Sequence, residues 1–328
     1  MYYVKRFYQV IKNYAIGRLA GQPTTAAFWY LPEKARVTDS LSLKRYFDRG
    51  ELGPLYLMDY SSKLKYKYTN QSGIIVLPYD PPVGDQVCPE AAFQYALALY
   101  DRYIETKDSE SLDKFLYYAE YFVQRQTPDG DWFYQFDWYG SKAPWSSALA
   151  QSRGASVMLR AGLHTGERRY FRAAVLALSK FDKPVEEGGY LSYFRPEKTP
   201  YFEEYPKEPS AALNGFMAAL FGPWEVMVWL RNSHAESLWR LGIESLQRML
   251  GYYTLSWWTV YDFDPQSPVL NVHSPRYHSL VIEYLKILNA ISPNKVFSHY
   301  LKTWVKQNRA SNKAAAIAYK LYRKVVYR

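Results

Sequence analysis

A short stretch in the middle of the chain combines acids and phenols in a way that suits proton transfer. Residues 201–206, Tyr-Phe-Glu-Glu-Tyr-Pro, place two adjacent carboxylates between two phenols, and residues 213–216, Leu-Asn-Gly-Phe, follow as the start of a predicted helix. Carboxylates and phenols serve enzymes as general acids and bases. Two adjacent glutamates in a loop are usually exposed to solvent and have no catalytic role. The chemical interpretation therefore depends on which other residues the chain supplies.

Segments of helical periodicity make up most of the remaining chain and would position these groups. Apolar residues recur at three- and four-residue spacing, and turn signals containing glycine or proline separate the segments. Pro223 lies inside one segment and is expected to kink or split that helix. The pattern predicts four pairs of helices, at 88–106 and 109–126, 146–164 and 167–181, 209–231 and 233–250, and 277–290 and 293–307.

The spacing of these pairs indicates the fold class. The pairs begin about 60 residues apart, which is longer than the repeat of an ordinary helical solenoid. Long aromatic connections at 130–144, 186–205 and 252–274 alternate with short turns. This alternation favours an all-α fold, an α/α toroid formed as an incomplete barrel of helical hairpins, whose long connections gather at one end and line a cleft. An open right-handed superhelix is the alternative all-α arrangement.

Short β segments accompany the helices where apolar runs lie between turn signals. We expect small hairpins at the cleft end of the toroid, not a separate β domain; the segments lie at 53–59, 73–79 and 252–263. The chain then divides into three regions: a basic N-terminal segment with short β elements (1–85), the toroid (86–308) and a basic C-terminal helix (309–328).

The excess of basic over acidic residues lies at the two ends of the chain. The net charge is +10, but 12 of the 41 basic residues lie in 1–32 and 302–328, which hold no acids, and the other 29 share the middle with all 31 acidic residues. A polyanion-binding surface over the whole body is therefore not indicated, whereas terminal segments that contact an anionic partner are. The predicted last helix places Ile317, Leu321 and Val325 on one side and Lys320, Arg323 and Lys324 on the other.

Composition excludes several classes of protein. With 48% apolar residues the chain can bury a sizeable core, which excludes a disordered protein. Its 33 tyrosines and 10 tryptophans suit stacking on sugars as well as packing between helices. Cys88 is the sole cysteine, which excludes an internal disulfide and a thiolate metal cage. The sequence shows neither a continuous apolar run of membrane-spanning length nor a signal-peptide pattern, so the predicted location is cytoplasmic.

Three segments, taken in order, resemble the C-terminal catalytic domain of D-glucuronyl C5-epimerases. The first is 145–151, Trp-Ser-Ser-Ala-Leu-Ala-Gln, which is similar to the start of a helix in that family. The second is the acidic stretch 203–206 with the Leu-Asn-Gly-Phe segment after it. The third is 259–262, Thr-Val-Tyr-Asp, followed by 276–278, Arg-Tyr-His. The resemblance covers about 85–307 and implies an α/α barrel, in agreement with the helical pairs.

These enzymes invert D-glucuronic acid to L-iduronic acid within a polysaccharide, so the resemblance implies an isomerase, a uronyl C5-epimerase. The resemblance implies that Glu204, Tyr261 and Tyr277 correspond to the family's catalytic carboxylate and its two active-site tyrosines. Glu204 would remove the C5 proton on the glucuronic face, and Tyr277 would return one on the other face. Tyr261 and Tyr205 would donate hydrogen bonds to the developing charge. Glu203 is expected to point toward solvent, since adjacent side chains diverge.

Further residues of the same segments are candidates for binding the substrate: Trp145, Gln151, Arg153, Tyr205, Asn214, Arg276 and His278. The two arginines would hold carboxylates through bidentate contacts, with structural salt bridges as the alternative. His278 is either catalytic or a core histidine. It lies five residues from His273, a poor spacing for a metal on one helix, and neither a catalytic metal nor a cofactor is predicted.

The chain also departs from the family pattern. The family's arginine two residues after the Tyr-Asp pair is replaced here by Asp264, so the substrate need not be a heparan-type chain. Animal members carry an anchor and a β-rich domain ahead of the helical domain, where this chain has about 85 residues.

The expected partner is a uronate-containing glycan, polymeric or lipid-linked. The basic ends would contact that polymer or an anionic membrane surface at the inner face. No nucleic-acid motif accompanies them, and a homodimer stays open.

Two other kinds of function stay open from the residues alone. One is a glycoside hydrolase or polysaccharide lyase built on an α/α barrel; a lyase begins with the same proton abstraction at C5 and then eliminates the group at C4. The other is a glycan-binding protein that keeps the barrel without the chemistry.

Overall fold

The protein is an all-α toroid. The computed structural model describes residues 24–36, 55–138, 140–265, 267 and 269–327, with side chains up to Lys324. In this part of the chain the helices are α1 (Thr25–Trp29), α2 (Pro89–Thr106), α3 (Ser109–Val123), α4 (Ala148–Thr165), α5 (Arg168–Leu176), α6 (Leu213–Ala219), α7 (Phe221–Leu230), α8 (Ser233–Met249), α9 (Pro275–Ile291), α10 (Lys295–Gln307) and α11 (Ala310–Tyr327). Two 3-10 helices span Ser61–Lys65 and Val185–Glu187.

The helices form two concentric layers, as the predicted hairpins require. The inner helices are α2, α4, the α6–α7 pair and α9, packed side by side in that order. The outer helices α3, α5, α8 and α10 each pack against the preceding inner one. The outer helices bury one face and expose the other, whereas α4 is buried over nearly its whole length. These burial patterns explain why apolar residues follow a stripe in the outer helices and surround the inner ones.

Two-stranded antiparallel hairpins lie between the helices. The strands are β1 (Lys34–Ala35), β2 (Met58–Asp59), β3 (Leu77–Tyr79), β4 (Gly84–Gln86), β5 (Leu191–Phe194), β6 (Thr199–Phe202), β7 (Val260–Asp262) and β8 (Asn271–Val272), each pair being consecutive. The three predicted β segments contain β2, β3 and β7, respectively. The β5–β6 hairpin, in the second long connection, was not predicted. Residues 53–54 and the basic segment 1–23 lie outside the described residues.

The chain ahead of α2 closes the inner layer between α9 and α2. Strand β1 packs against α9, and the first 3-10 helix packs against α2. The amide of Ala35 donates to the Glu283 carboxylate of α9 at 2.9 Å. The amide of Tyr56 donates to Asp101 of α2 at 2.7 Å. The early segment is thus part of the toroid wall in the described structure.

The third inner helix is divided, as Pro223 led us to expect. The break between α6 and α7 falls at Leu220. Proline has no N–H to donate to the carbonyl four residues earlier, at Ala219, and its ring crowds that carbonyl. The prediction placed the start of this helix too early, at 209. Residues 209–212 are not helical, and Ala211 has a left-handed backbone with φ of 52°.

The stretch Leu213–Leu230 is long and apolar enough to cross a membrane by length and composition, which the sequence-based interpretation overlooked. It comprises α6 and α7, and 78% of it is buried inside the protein. This is the position of a core element in the inner layer of the toroid.

The C-terminal helix α11 docks through the side that carries Asn312 and Ala316. Ala316 is buried against Trp258, and Asn312 donates to the Trp257 carbonyl at 2.9 Å. Of the three apolar residues expected to share one side, Ile317 is 50% exposed, Leu321 is half-buried, and the side chain of Val325 lies outside the described residues. The docked face therefore includes the side that carries Lys320.

A buried ion pair joins the second and third inner helices and gives a stability prediction. Arg160 donates two hydrogen bonds to Glu225, at 3.0 and 2.7 Å, and both side chains are at most 2% exposed. We expect Glu225→Gln to lower the free energy of unfolding by about 3–5 kcal/mol, because it leaves a buried guanidinium without its counter-charge. Urea denaturation measures this.

The matched control replaces both partners. Arg160→Met with Glu225→Met removes both charges of the pair, while Arg36 still faces the nearby Asp101 at 3.6 Å, so the double variant should recover most of the loss. A single Glu225→Gln variant as stable as the parent would contradict this account of the pair.

Candidate active site

A cleft opens where the N-terminal ends of the inner helices converge. Glu90 in the first turn of α2, Ser147 at the N-cap of α4, Asn214 in α6 and Tyr277 in α9 all line one cavity of about 360 Å³. Each helix N-terminus carries a partial positive charge. Their convergence favours an anionic ligand at this end of the toroid.

The three long connections supply much of the remaining lining, as the fold prediction required. They contribute Tyr134, Phe136 and Trp138 from the first, Glu204 and Tyr205 from the second, and Tyr261 and Asn271 from the third. The first connection forms an aromatic wall. Trp145 stacks on Tyr134 with ring centroids 4.0 Å apart and planes 6° apart, and its indole N–H donates to the Phe136 carbonyl at 2.8 Å. Such a wall suits the apolar face of a sugar ring.

Glu204 is a buried carboxylate facing the cleft. It is 7% exposed and accepts a hydrogen bond from the Asn214 amide at 3.3 Å. Burial, followed by the charge of Glu90, raises the pKa of Glu204 to about 8, while a hydrogen bond from Tyr205 opposes the shift. Among the described residues no cation forms a salt bridge with it. Its proton is therefore exchangeable near neutral pH.

Gly215 sets the position of that carboxylate. A Cβ atom on Gly215 would lie 2.4 Å from Oε2 and 2.6 Å from Cβ of Glu204. Only a residue without a side chain lets Glu204 pack on the first turn of α6 in this way.

Two phenols lie together in another part of the cleft. The rings of Tyr261 and Tyr277 meet edge to face with centroids 5.5 Å apart. Burial, followed by the negative charge of Glu204, raises the pKa of the Tyr277 hydroxyl above its usual range. The phenol is therefore protonated while Glu204 is ionised.

Two other acids of the cleft are held by buried cations. Glu33 pairs with Lys63 at 2.8 Å and with Arg276 at 3.0 Å. Glu90 pairs with Arg153 at 2.5 Å. Lys63 and Arg276 lower the pKa of Glu33 against the effect of its burial. Burial raises the pKa of Glu90 although Arg153 opposes the shift. Glu204 differs from both acids in that no salt bridge holds it among the described residues.

The structure brings seven of the ten predicted site residues to the cleft: Trp145, Glu204, Tyr205, Asn214, Tyr261, Arg276 and Tyr277. Arg276 lies at the wall, and its guanidinium binds Glu33 and the Leu31 carbonyl. Arg276 thus agrees with both of the predicted alternatives, since it lines the cleft as a substrate-binding residue would and also forms a structural salt bridge.

Three predicted residues lie behind the cleft wall. Arg153 is 1% exposed and bridges Glu90 and the Tyr284 hydroxyl, at 2.5 and 2.7 Å, so it fits the structural alternative. Gln151 is fully buried and donates to Tyr190 at 2.9 Å. Neither side chain lines the cavity.

His278 is the third of these residues and fits the core alternative. It is fully buried, stacks on Trp258 at 3.7 Å between centroids, and contacts the Thr259 hydroxyl at 2.7 Å. Burial lowers its pKa to about 4. Within the described residues, no three His, Cys, Asp or Glu side chains are grouped to hold a metal ion.

Glu203 does not point toward solvent, and that prediction was wrong. It is 2% exposed, and it accepts hydrogen bonds from the Ser192 hydroxyl at 2.5 Å and the Ala211 amide at 3.2 Å. Burial raises its pKa to about 7. The side chain anchors the loop ahead of α6, on the far side of the chain from Glu204.

Sequence reasoning missed five charged groups of the cleft: Glu33, Glu90, Lys320, Arg323 and Lys324. Glu90 carried a usable signal, since it is the one acid in the first turn of its helix and lies just ahead of a mostly apolar run. The other four come from distant parts of the chain, and the sequence around each of them does not indicate that it lies at the cleft.

The fold and the site define a class: an α/α toroid whose cleft at one end is lined by a buried carboxylate and several phenols. The family model for the D-glucuronyl C5-epimerase C-terminus matches residues 125–306, more than half of the chain. The chain belongs to this family.

Two relatives show how far the similarity extends. An uncharacterized protein of Methanocaldococcus jannaschii is 27% identical over 244 residues, which cover 68% of this chain and 78% of that protein. The D-glucuronyl C5-epimerase of Caenorhabditis elegans is 26% identical over 243 residues, 68% of this chain but only 39% of the worm enzyme.

Solved structures resemble the protein more weakly. An unsaturated glucuronyl hydrolase of Bacillus sp. GL1 matches with a TM-score of 0.44 and 17% identity, over 68% of this chain and 60% of its own. A family 76 glycoside hydrolase (mannosidase) of Bacteroides thetaiotaomicron matches with a TM-score of 0.46 and 12% identity, over 71% and 62%. Both similarities are too low to say what this chain binds.

The surroundings of Glu204 predict how its carboxyl group titrates. In protein labelled with ¹³C-glutamate, we expect the Glu204 carboxyl resonance, assigned by its loss in Glu204→Gln, to titrate with a midpoint of about 8. Glu90→Gln removes a nearby negative charge and leaves Arg153 positive, so the midpoint should move to lower pH.

Glu203 is the internal control for that titration. Glu90 does not contribute to its pKa, so its midpoint should stay in place in the Glu90→Gln variant. An unshifted Glu204 midpoint in that variant would show that the two cleft glutamates do not interact.

Proposed function

We propose that the protein is a uronyl C5-epimerase that inverts D-glucuronic to L-iduronic acid residues in a polysaccharide or lipid-linked glycan. One observation carries the proposal: Glu204 and Tyr277, a carboxylate and a phenol, line the same cavity, and the charge of Glu204 raises the pKa of Tyr277. Family membership supports the same chemistry.

Glu204 would remove the proton from C5. That proton is weakly acidic, because deprotonation adds negative charge beside the uronate carboxylate. A carboxylate whose pKa burial has raised is a stronger base than an ordinary one, and a pKa near the working pH suits general base catalysis. Asn214, through its hydrogen bond at 3.3 Å, would hold the carboxylate in place.

Tyr277 would return a proton on the other face. While Glu204 is ionised, its charge raises the pKa of Tyr277 and keeps the phenol protonated. When Glu204 takes the C5 proton it becomes neutral, and this electrostatic contribution disappears. The phenol thus becomes a better acid at the step that needs it. The reverse reaction would run through the same groups in the opposite direction.

The charge that develops on the substrate carboxylate needs stabilisation. The converging helix N-termini, Tyr205 and Tyr261 line the cleft, and we propose that they supply this stabilisation. In a partly buried site such fixed dipoles act more strongly than in water.

Deuterium exchange tests the proposal. In deuterated water with glucuronate-containing polymers, we expect deuterium at C5 together with iduronate signals in the NMR spectrum. Glu204→Gln should slow incorporation from glucuronate by about 10²-fold or more, and Tyr277→Phe should lose inversion by a similar factor. Glu236→Gln and Tyr193→Phe, on the outer surface, are the matched controls and should leave both rates unchanged.

The same assay separates the alternative reactions. A lyase would give the ultraviolet absorbance of an unsaturated uronate, and a hydrolase would give new reducing ends without it. Binding of a glycan without any exchange, and with binding retained in Glu204→Gln, would identify a non-catalytic glycan-binding protein. Any of these results would overturn the epimerase assignment.

Gly215→Ala tests how precisely Glu204 must be placed. The new Cβ would displace the carboxylate from its packing on α6, and a misplacement of about 1 Å can cost 10²-fold in rate. We expect kcat to fall by that order while the circular dichroism spectrum is retained, since alanine suits a helix better than glycine. Gly251→Ala, where the nearest atom is the Tyr300 hydroxyl at 3.0 Å, is the control. An unchanged kcat would mean that Gly215 does not position the base.

A cytoplasmic, membrane-peripheral location and a homodimer stay predictions from the sequence. The N-terminal basic segment that would contact a membrane lies outside the described residues. The C-terminal helix carries three of its basic side chains at the cleft.

A further inference from the structure

We propose that Glu33 and Gln94 form a hydroxyl-binding subsite of the cleft, in which each side chain accepts a hydrogen bond from a ring hydroxyl of the uronate sugar. The inference rests on the proposed function and deepens it, because it adds two substrate-binding residues that the proposed proton transfer does not use. Both residues lie ahead of 125–306, the part of the chain that the family model matches.

Two buried oxygen atoms at the cleft have no hydrogen-bond donor within the protein. The side chain of Glu33 is 3% exposed, Gln94 is 1% exposed, and both line the cavity of about 360 Å³. Oε2 of Glu33 and Oε1 of Gln94 each lack a hydrogen-bond partner among the described residues. Buried polar groups in native proteins are nearly always paired. Acceptors left over at a cavity therefore indicate a ligand that donates hydrogen bonds.

The contacts of Glu33 leave one of its two oxygens for a ligand. Lys63 and Arg276 both bind Oε1, at 2.8 and 3.0 Å. The same cations hold the chain ahead of this residue, since Lys63 donates to the Phe28 carbonyl at 3.1 Å and Arg276 donates to the Leu31 carbonyl at 3.1 Å. Glu33 is thus fixed in place by contacts that do not involve Oε2.

Gln94 uses its donor and keeps its acceptor in the same way. It lies one turn after Glu90 on α2, and its Nε2 atom donates to the Glu90 carboxylate at 3.4 Å. Asn214 of α6 repeats this arrangement, because its amide donates to Glu204 at 3.3 Å while its Oδ1 atom has no partner in the described structure. In both amides a cleft glutamate takes the N–H group, so the C=O group remains for a ligand.

The unpartnered atoms indicate which group of the sugar binds here. A ring hydroxyl can donate to Glu33 and Gln94, whereas an ionised carboxylate and a ring oxygen can only accept. A hydroxyl can also accept from Nε of Arg276, a buried donor of the same cleft that has no partner among the described residues. Burial would raise the pKa of Glu33, but Lys63 and Arg276 outweigh this effect and lower it. The ionised acceptor then forms a stronger, charge-assisted hydrogen bond.

The subsite lies within electrostatic reach of the proton-transfer groups. Burial, followed by the charges of Glu204, Glu90 and Glu33, raises the pKa of the Tyr277 hydroxyl, and Arg276 opposes the shift. The amide of the subsite is hydrogen-bonded to the second of these glutamates. Hydroxyls bound here would therefore belong to the sugar whose C5 exchanges its proton. Two such contacts to one ring would orient C5 for the transfer.

A series of deoxy sugars tests the subsite. The probe is a tetrasaccharide whose internal glucuronate is joined through C1 and C4, so that its C2 and C3 hydroxyls are free, and it is compared with the 2-deoxy and 3-deoxy forms of that residue. We expect each deoxy probe to bind the parent protein about tenfold more weakly, because it leaves a buried acceptor unpaired. Gln94→Met removes one acceptor at nearly constant volume. Its discrimination against one deoxy probe should fall below about twofold, and that against the other should persist. Isothermal titration calorimetry measures these affinities.

A second variant addresses the other acceptor. Glu33→Met alone would leave Lys63 buried without its counter-charge, so the variant is Glu33→Met with Lys63→Met. It should lose discrimination against the deoxy probe that Gln94→Met still distinguishes.

Gln124→Met is the matched control. Gln124 also donates to a glutamate one turn earlier, Glu120, at 2.6 Å, but it is exposed at the end of α3. This variant should discriminate among the probes as the parent does. A parent that binds all three probes alike, or Gln94→Met and double variants that keep the parent's discrimination, would overturn the subsite.

The outcomes also separate this inference from the proposed function. Discrimination that the variants abolish, without deuterium exchange at C5 in the parent, would leave the subsite standing and reject the epimerase. Exchange in the parent, without discrimination between the hydroxyl and deoxy probes, would keep the epimerase and reject the subsite.

Discussion

The buried guanidinium of Arg153 links the inner helices behind the cleft wall. Arg153 of α4 donates to Glu90 of α2 at 2.5 Å and to Tyr284 of α9 at 2.7 Å, so one side chain connects three of the inner helices. A cation this deeply buried is stable only if its partners stay in place, since breaking such a pair leaves a costly uncompensated charge. The helix N-termini that line the cleft are therefore fixed relative to one another before any ligand arrives.

That constraint also divides the acids of the cleft into two kinds. Glu90 and Glu33 each form a salt bridge with a cation of the toroid wall. Glu204 is buried beside them without such a partner among the described residues, and the charge of Glu90 raises its pKa further. Burial and the charge of Glu90 thus raise the pKa of Glu204, and the Tyr205 hydrogen bond and Arg153 oppose the shift. Tyr277 responds to the same field, which couples the two proton-transfer groups.

Much of the fold could be predicted, because long amphipathic helices are recognisable from the periodicity of their apolar residues. The paired helices and the division near Pro223 follow from local chemistry. The start of α6 was misplaced, because the amide of Ala211 is held by the carboxylate of Glu203, a contact that no local pattern reveals. The β5–β6 hairpin was missed for a related reason, since its four-residue strands are too short to give a clear alternation.

The sequence by itself determined the residue types and their order, and with them the family and the main proton-transfer candidates, Glu204 and Tyr277. Tertiary structure decided which of several similar residues face the cleft. Arg276 reaches it whereas Arg153 lies behind it, and α11 turns Lys320 inward. The reason is physical: a side chain's direction depends on how separate elements pack, and the contacts that fix it join residues more than a hundred positions apart.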